Sequence, residues 1–244
     1  MVADPAFDAD VARTRALLDQ YGAWIDRYHG GLPQGWMASI MLHESGGNFA
    51  SPGDPTLGEV GFFQIAAYVP PLFGYDPSVR TDPETNVALA VLEYDLEAVL
   101  WSLEVPQVHL GTDDSWKLAR LTFAIGRGGS RQLASLAFAS GGLADGDVFG
   151  SIARYIAAYG GVALGSQSAQ TVAKRVLDID RQWAIGKAAG GGVSGPPVLI
   201  PDPPAGPYTL PADVAPYFSE EFPVTLLVIG GLAVVAYLLY KRTW

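Results

Sequence analysis

The sequence contains no cysteine, which excludes disulfides, thiolate metal sites, iron–sulfur clusters and cysteine nucleophiles. Histidine is nearly as scarce. His29, His43 and His109 are scattered and form no HExxH pattern, so a histidine-based metal site is not expected. Basic residues are few: 15 Lys and Arg stand against 25 Asp and Glu, a formal net charge of −10. That balance argues against nucleic acid as a partner, because phosphate binding relies on clustered cations. The first residues carry neither a basic stretch nor an apolar run, so no cleavable signal peptide is expected. What is present is apolar: 49% of the 244 residues are hydrophobic and 16% charged. Such a chain is not disordered throughout, and it can bury one well-packed domain with appendages, or two small ones.

The longest charge-free run is FPVTLLVIGGLAVVAYLLY, 19 residues from Phe222 to Tyr240. As a helix it spans ~28 Å, close to the hydrocarbon thickness of a bilayer. Tyr237 and Tyr240 suit a membrane interface, Lys241 and Arg242 follow, and Glu220 and Glu221 flank the other end. The expectation is a transmembrane helix and short basic tail over 222–244, with the tail cytoplasmic and the N-terminal domain outside. A buried core helix is the alternative. Nine of the 18 prolines fall from Pro196 onward, so 188–221 reads as a Pro/Gly-rich spacer, since proline removes backbone donors and fixes φ.

Residues 1–187 read as one mainly α domain. Apolar residues recur at helical spacing from Val11 through Tyr28, after a cap at Asp8 or Asp10. A second helix is expected over Gln34–Ser45, a third from Pro83, and a fourth after a cap at Ser115 and ending at Gly126. Others fit 130–139, 147–159 and 167–185. Asn48–Gly61 is rich in Gly and Pro and is expected to be an irregular loop or a small β-hairpin.

Glu44 follows the apolar run Trp36–Leu42, at the C-terminal end of a buried helix. Burial and the negative end of the helix dipole both disfavour a charged carboxylate there, which is the condition a general acid needs. An exposed glutamate at a frayed helix end is the plainer possibility.

Four segments carry a resemblance. His43-Glu44-Ser45-Gly46-Gly47 is followed by Gly58-Glu59-Val60-Gly61-Phe62-Phe63-Gln64-Ile65. Then come Asp82-Pro83-Glu84-Thr85-Asn86-Val87 with Leu92 and Tyr94, and Leu121-Thr122-Phe123-Ala124-Ile125-Gly126-Arg127-Gly128. Over about residues 10–160 this order resembles the lytic transglycosylases, goose-lysozyme-like enzymes that cleave bacterial peptidoglycan. Three departures stand out. Phe123 replaces the family's tyrosine, Ala124 its asparagine, and Ser151-Ile152 its final Glu-Thr pair.

The resemblance implies a lysozyme-like helical fold and cleavage of the β-1,4 bond between N-acetylmuramic acid and N-acetylglucosamine, without metal or cofactor. It makes Glu44 the acid and then the base, with a 1,6-anhydro sugar as product. Ser45 would hydrogen-bond Glu44 or the glycan, or merely end the helix. Gln64 would face the cleft, with Phe62 or Phe63 packed beneath. Gly58 and Gly61 would let the backbone approach the sugar. Phe123 and Tyr155 are aromatic candidates for the substrate surface. Glu59 or Asp54, if placed ~6.5–9.5 Å from Glu44, would activate water and make the enzyme an inverting lysozyme. His43 points away from Glu44 on a helix and is not expected to react. The expected partners are peptidoglycan strands, a lipid membrane through 222–240 and other virion proteins. The combination of wall-cleaving domain and C-terminal anchor suits a phage protein that opens the wall for genome delivery. A lysozyme-type hydrolase and a non-catalytic, membrane-anchored glycan-binding or structural protein are the alternatives.

Overall fold

The computed structural model describes residues 4–28 and 32–190. Within them are eight α-helices: α1 (Pro5–Tyr28), α2 (Gln34–Ser45), α3 (Val69–Leu72), α4 (Pro83–Glu104), α5 (Asp113–Ile125), α6 (Arg127–Gly141), α7 (Val148–Tyr159) and α8 (Ala169–Ala189). One 3-10 turn, Pro77–Thr81, precedes α4. No strand forms among the described residues, so the mainly α expectation holds. The 48–61 segment is a series of turns closed by a single bridge between Val60 and Ile65. Residues 188–190 finish α8 and its cap, so the spacer begins later than expected. The rest of it, the apolar run 222–240 and His29 lie outside the described residues. Among the described residues no helix is long and apolar enough to cross a membrane.

Local chemistry sets the helix ends. Asp82 caps α4 by accepting from the Thr85 amide at 2.8 Å, and Pro83 sits in the first turn, where its missing N–H costs nothing. α5 starts earlier than expected because Thr112, not Ser115, is the cap. Ser168 caps α8. Gly46, at φ 65°, ends α2 with its N–H on the Leu42 carbonyl.

α2 is the central element, with every residue from Gly35 to Met41 buried. It packs between α1 and α8. The crossing with α8 is a backbone contact: a Cβ on Gly186 would lie 2.6 Å from the Trp36 Cα, and one on Gly35 only 2.2 Å from the Gly186 carbonyl oxygen. Two apolar clusters flank this arrangement. The first gathers α1, α2, the Phe62–Val69 segment and the N-terminal half of α4. The second gathers the end of α4 with α6, α7 and most of α8. α5 separates them, giving Trp116 and Ala119 to the first and Leu118, Leu121 and Ile125 to the second.

Candidate active site

Glu44 occupies the last turn of α2, and 24% of its side chain is exposed. Its carboxylate pairs with the guanidinium of Arg120 from α5. Arg120 is buried, and each of its nitrogens has a task. Nη2 donates to Glu44, Nη1 to the Tyr94 hydroxyl at 3.3 Å, and Nε to the Gln182 side-chain oxygen at 3.1 Å. Helices α2, α4, α5 and α8 therefore meet at one cation. Burial pushes the Tyr94 phenol well above its ordinary value, so it stays neutral beside that charge. Ser45 serves its own helix. Its buried hydroxyl donates back to the Met41 carbonyl at 3.0 Å, the role of a helix-ending residue.

The 48–65 loop forms the next part of the site, and Asn86 of α4 holds it. The Asn86 amide donates to the Val60 and Arg80 carbonyls at 3.1 Å each and accepts from the Phe63 amide at 3.2 Å. Asn86 also explains Gly61. That glycine has φ 83°, and a Cβ there would stand 2.4 Å from the Asn86 Nδ2. Gly61 thus makes room for Asn86. Gly58 has φ 61° in the same loop. Phe62 and Phe63 are both buried, so Phe63 belongs to the core and offers no substrate surface. Phe62 packs on Tyr21 and Phe49.

Gln64 is the one non-glycine residue with positive φ among the described residues, at 53°. Its side-chain nitrogen donates to the Gly61 carbonyl at 2.6 Å, so it braces its own loop. The left-handed conformation costs about 1–2 kcal/mol, and such strain concentrates at functional segments.

The two loop acids separate. Asp54 is exposed and accepts from the Thr56 amide and hydroxyl, which holds its carboxyl below the usual range. It is a turn-forming residue. Glu59 is half-buried. Burial raises its carboxyl, the charges of Asp54 and Glu44 add to that, and the Asp54 amide opposes it. Of the two, only Glu59 answers to the charge on Glu44.

Phe123 lies against the network, stacked on Tyr94 with ring centroids 4.5 Å apart. Its own hydroxyl is missing, but the Tyr94 hydroxyl beneath it reaches Arg120. Tyr155 is elsewhere: it packs on Tyr159 over the second apolar cluster, and the structure does not bring it to Glu44. His43 is exposed and lines a cavity of about 350 Å³ with Lys174, Asp178 and Arg181. A larger hollow of about 560 Å³ lies between α1 and the end of α8. Glu44 lines neither of these two hollows.

No known family model, characterised protein or solved structure matches this chain. What the site can do is therefore a matter of its own geometry. A partly exposed carboxylate held by a buried arginine can accept a proton; the pairing with Arg120 favours the charge that burial and the helix dipole alone were expected to disfavour. Sequence reasoning missed Arg120, Tyr94 as its partner, and Gln182. A signal for Arg120 was present. It lies four residues after Trp116 and three before Phe123, on the core-facing side of its helix, where an arginine needs a buried partner.

Proposed function

We propose that the chain is a peptidoglycan lytic transglycosylase with a lysozyme-like helical domain and Glu44 as its acid and base. The observation that supports this best is that Glu44 is held by a buried arginine, and that this arginine's partner Tyr94 and the ring stacked on it, Phe123, both belong to the resembling segments. Glu44 lies in the last turn of α2, Arg120 and Phe123 come from α5, and Asn86 ties α4 to the loop whose Glu59 responds to Glu44.

In this reading Glu44 gives its proton to the glycosidic oxygen as the bond to the muramic anomeric carbon breaks. The substrate's acetamido oxygen closes on that carbon. The sugar's 6-hydroxyl then attacks, loses its proton to the Glu44 carboxylate, and leaves a 1,6-anhydro end. Arg120 fixes the carboxylate and stabilises the charge left on it between the two steps, and the same pairing opposes the protonated form with which the first step begins. No metal or cofactor takes part.

The domain works outside the cytoplasm, anchored through 222–240, and its partners are glycan strands and a bilayer. A phage virion protein that opens the wall is the setting we favour, with other virion proteins beside it. One observation favours a second reading. Glu59, half-buried and raised in part by Glu44, would divide acid and base roles with it in an inverting hydrolase.

The test is Glu44→Gln, which keeps an acceptor for Arg120 and removes the proton carrier. Clearing of purified wall by the full chain is expected to fall at least 10²-fold, with the helical circular-dichroism spectrum unchanged. Undiminished clearing by a folded variant would refute the assignment.

A further inference from the structure

α8 lies beyond the stretch that carries the resemblance, yet it places one buried side chain in the Glu44 network. Gln182 is 5% exposed and is held from two sides. Its main-chain carbonyl accepts from the Ser39 hydroxyl of α2 at 2.9 Å, and its side-chain oxygen accepts from Arg120 Nε of α5 at 3.1 Å. Arg120 in turn donates to Glu44, which shares α2 with Ser39. The contacts thus close a ring. It leaves α2 at Ser39, runs through α8 and α5, and returns to α2 at Glu44. The packing beside Gln182 leaves it little freedom. Trp183, the next residue, meets Trp36 edge to face with ring centroids 4.7 Å apart, and a Cβ on Gly186, one turn further on, would lie 2.6 Å from the Trp36 Cα.

Charge is unevenly placed in this ring. A guanidinium buried away from water needs compensation. Of the three groups that accept from Arg120, the Tyr94 hydroxyl and the Gln182 amide oxygen are neutral, and only the Glu44 carboxylate carries charge. A glutamate at position 182 would have the same shape and accept the same bond, but it would divide one cation between two carboxylates. An apolar side chain there would strand the Nε–H, because the planar fork cannot turn one donor without moving the others.

We propose that Gln182 is a positioning residue of the Glu44 site: a neutral acceptor that sets the plane of the Arg120 guanidinium and leaves its charge to Glu44 alone. It acts through Arg120 and has no part in holding the glycan, so it governs turnover and not binding. The role rests on the reading of Glu44 as acid and base.

The hold on the fork is tested with Gln182→Met, which keeps the length of the side chain and removes the acceptor. In the full-length wild type the Arg120 Nε–H resonance is expected to exchange slowly with water, and about tenfold faster in the variant. On soluble glycan strands the variant is expected to lose at least about tenfold in kcat with KM unchanged. Unaltered exchange, or a loss confined to KM, would overturn the role. A fast-exchanging Arg120 Nε–H in the wild type would overturn it too, and that measurement stands even if Gln182→Met does not fold.

The neutrality of position 182 is tested by exchanging the two side chains. The full-length wild type, Gln182→Glu, Glu44→Gln and the double variant are unfolded in urea. Glu44→Gln leaves the buried guanidinium without a carboxylate, Gln182→Glu gives it two, and the pair restores one. The double variant is expected to be more stable than the single changes add up to, by about tenfold in the unfolding constant. Wall clearing is expected to stay lost in it, because the carboxylate then stands at 182. Additive changes would show that positions 44 and 182 do not share Arg120, and would overturn the proposal. The exchange and unfolding measurements need no substrate. Wall clearing that survives Glu44→Gln would refute the transglycosylase reading and leave the ring standing, whereas additivity with clearing lost would refute the ring alone.

Discussion

Arg120 spends its three donor nitrogens in three directions, on Glu44, Tyr94 and Gln182. A lysine has one ammonium on a flexible stem and cannot reproduce that fork. Arg120→Lys is therefore expected to lower stability by about 3 kcal/mol, from lost charge-assisted bonds and stranded buried partners. Urea unfolding measures it, and a change within about 0.5 kcal/mol would show that the network carries no weight. At this scale the sequence marks positions better than roles. Glu44 and Gly61 stand out in the motifs, yet Gly61 serves Asn86, Ser45 serves its own helix and Gln64 braces its loop. Those roles depend on contacts between segments distant in the chain, which local patterning does not encode.

Among the elements, α2 is positioned by its contact with α8 at Gly35 and Gly186. Gly186→Ala puts a methyl against the Trp36 backbone, and backbone cannot swing aside as a side-chain tip can. The expected cost is about 3 kcal/mol, read by urea unfolding. Because α2 carries Glu44, wall clearing is expected to fall as well; an Ala variant as stable as the wild type would show that the helices are not in register at these glycines. Most helices were legible because apolar periodicity and caps agree, as at Asp82 and Gly46. Others were not. α3 and the Pro77–Thr81 turn have no counterpart in the periodicity, being too short to show one, and each carries proline in its first turn, where it is accepted. α1 begins at Pro5, ahead of the caps expected at Asp8 or Asp10, because Asp4 accepts from the Ala6 and Phe7 amides at 3.1 Å each.

For the whole molecule, α4, α5 and α8 each contribute to both apolar clusters, so the described residues share their helices between two cores. Fold class was readable from composition and period. The meeting of Glu44 with Arg120, 76 residues later, was not, because it is made only when α2 and α5 pack. The proposed anchoring belongs to this scale too. With the full chain inserted in intact cell membranes, protease added from outside is expected to remove the domain before 187 and leave a short membrane-held tail. Full protection of the domain would reverse the orientation inferred from Glu220, Glu221, Lys241 and Arg242.

The central claim is that Glu44 drives an anhydro-forming cleavage, and the most direct test is the mass of the products. Purified peptidoglycan is digested with the full chain and with Glu44→Gln, and the muropeptides are weighed. The account predicts fragments lighter by one water than hydrolysed ones, present with the wild type and absent with the variant. Hydrolysed fragments alone would contradict it and turn attention to Glu59, while no cleavage by folded wild-type protein would leave a binding or structural role for the domain.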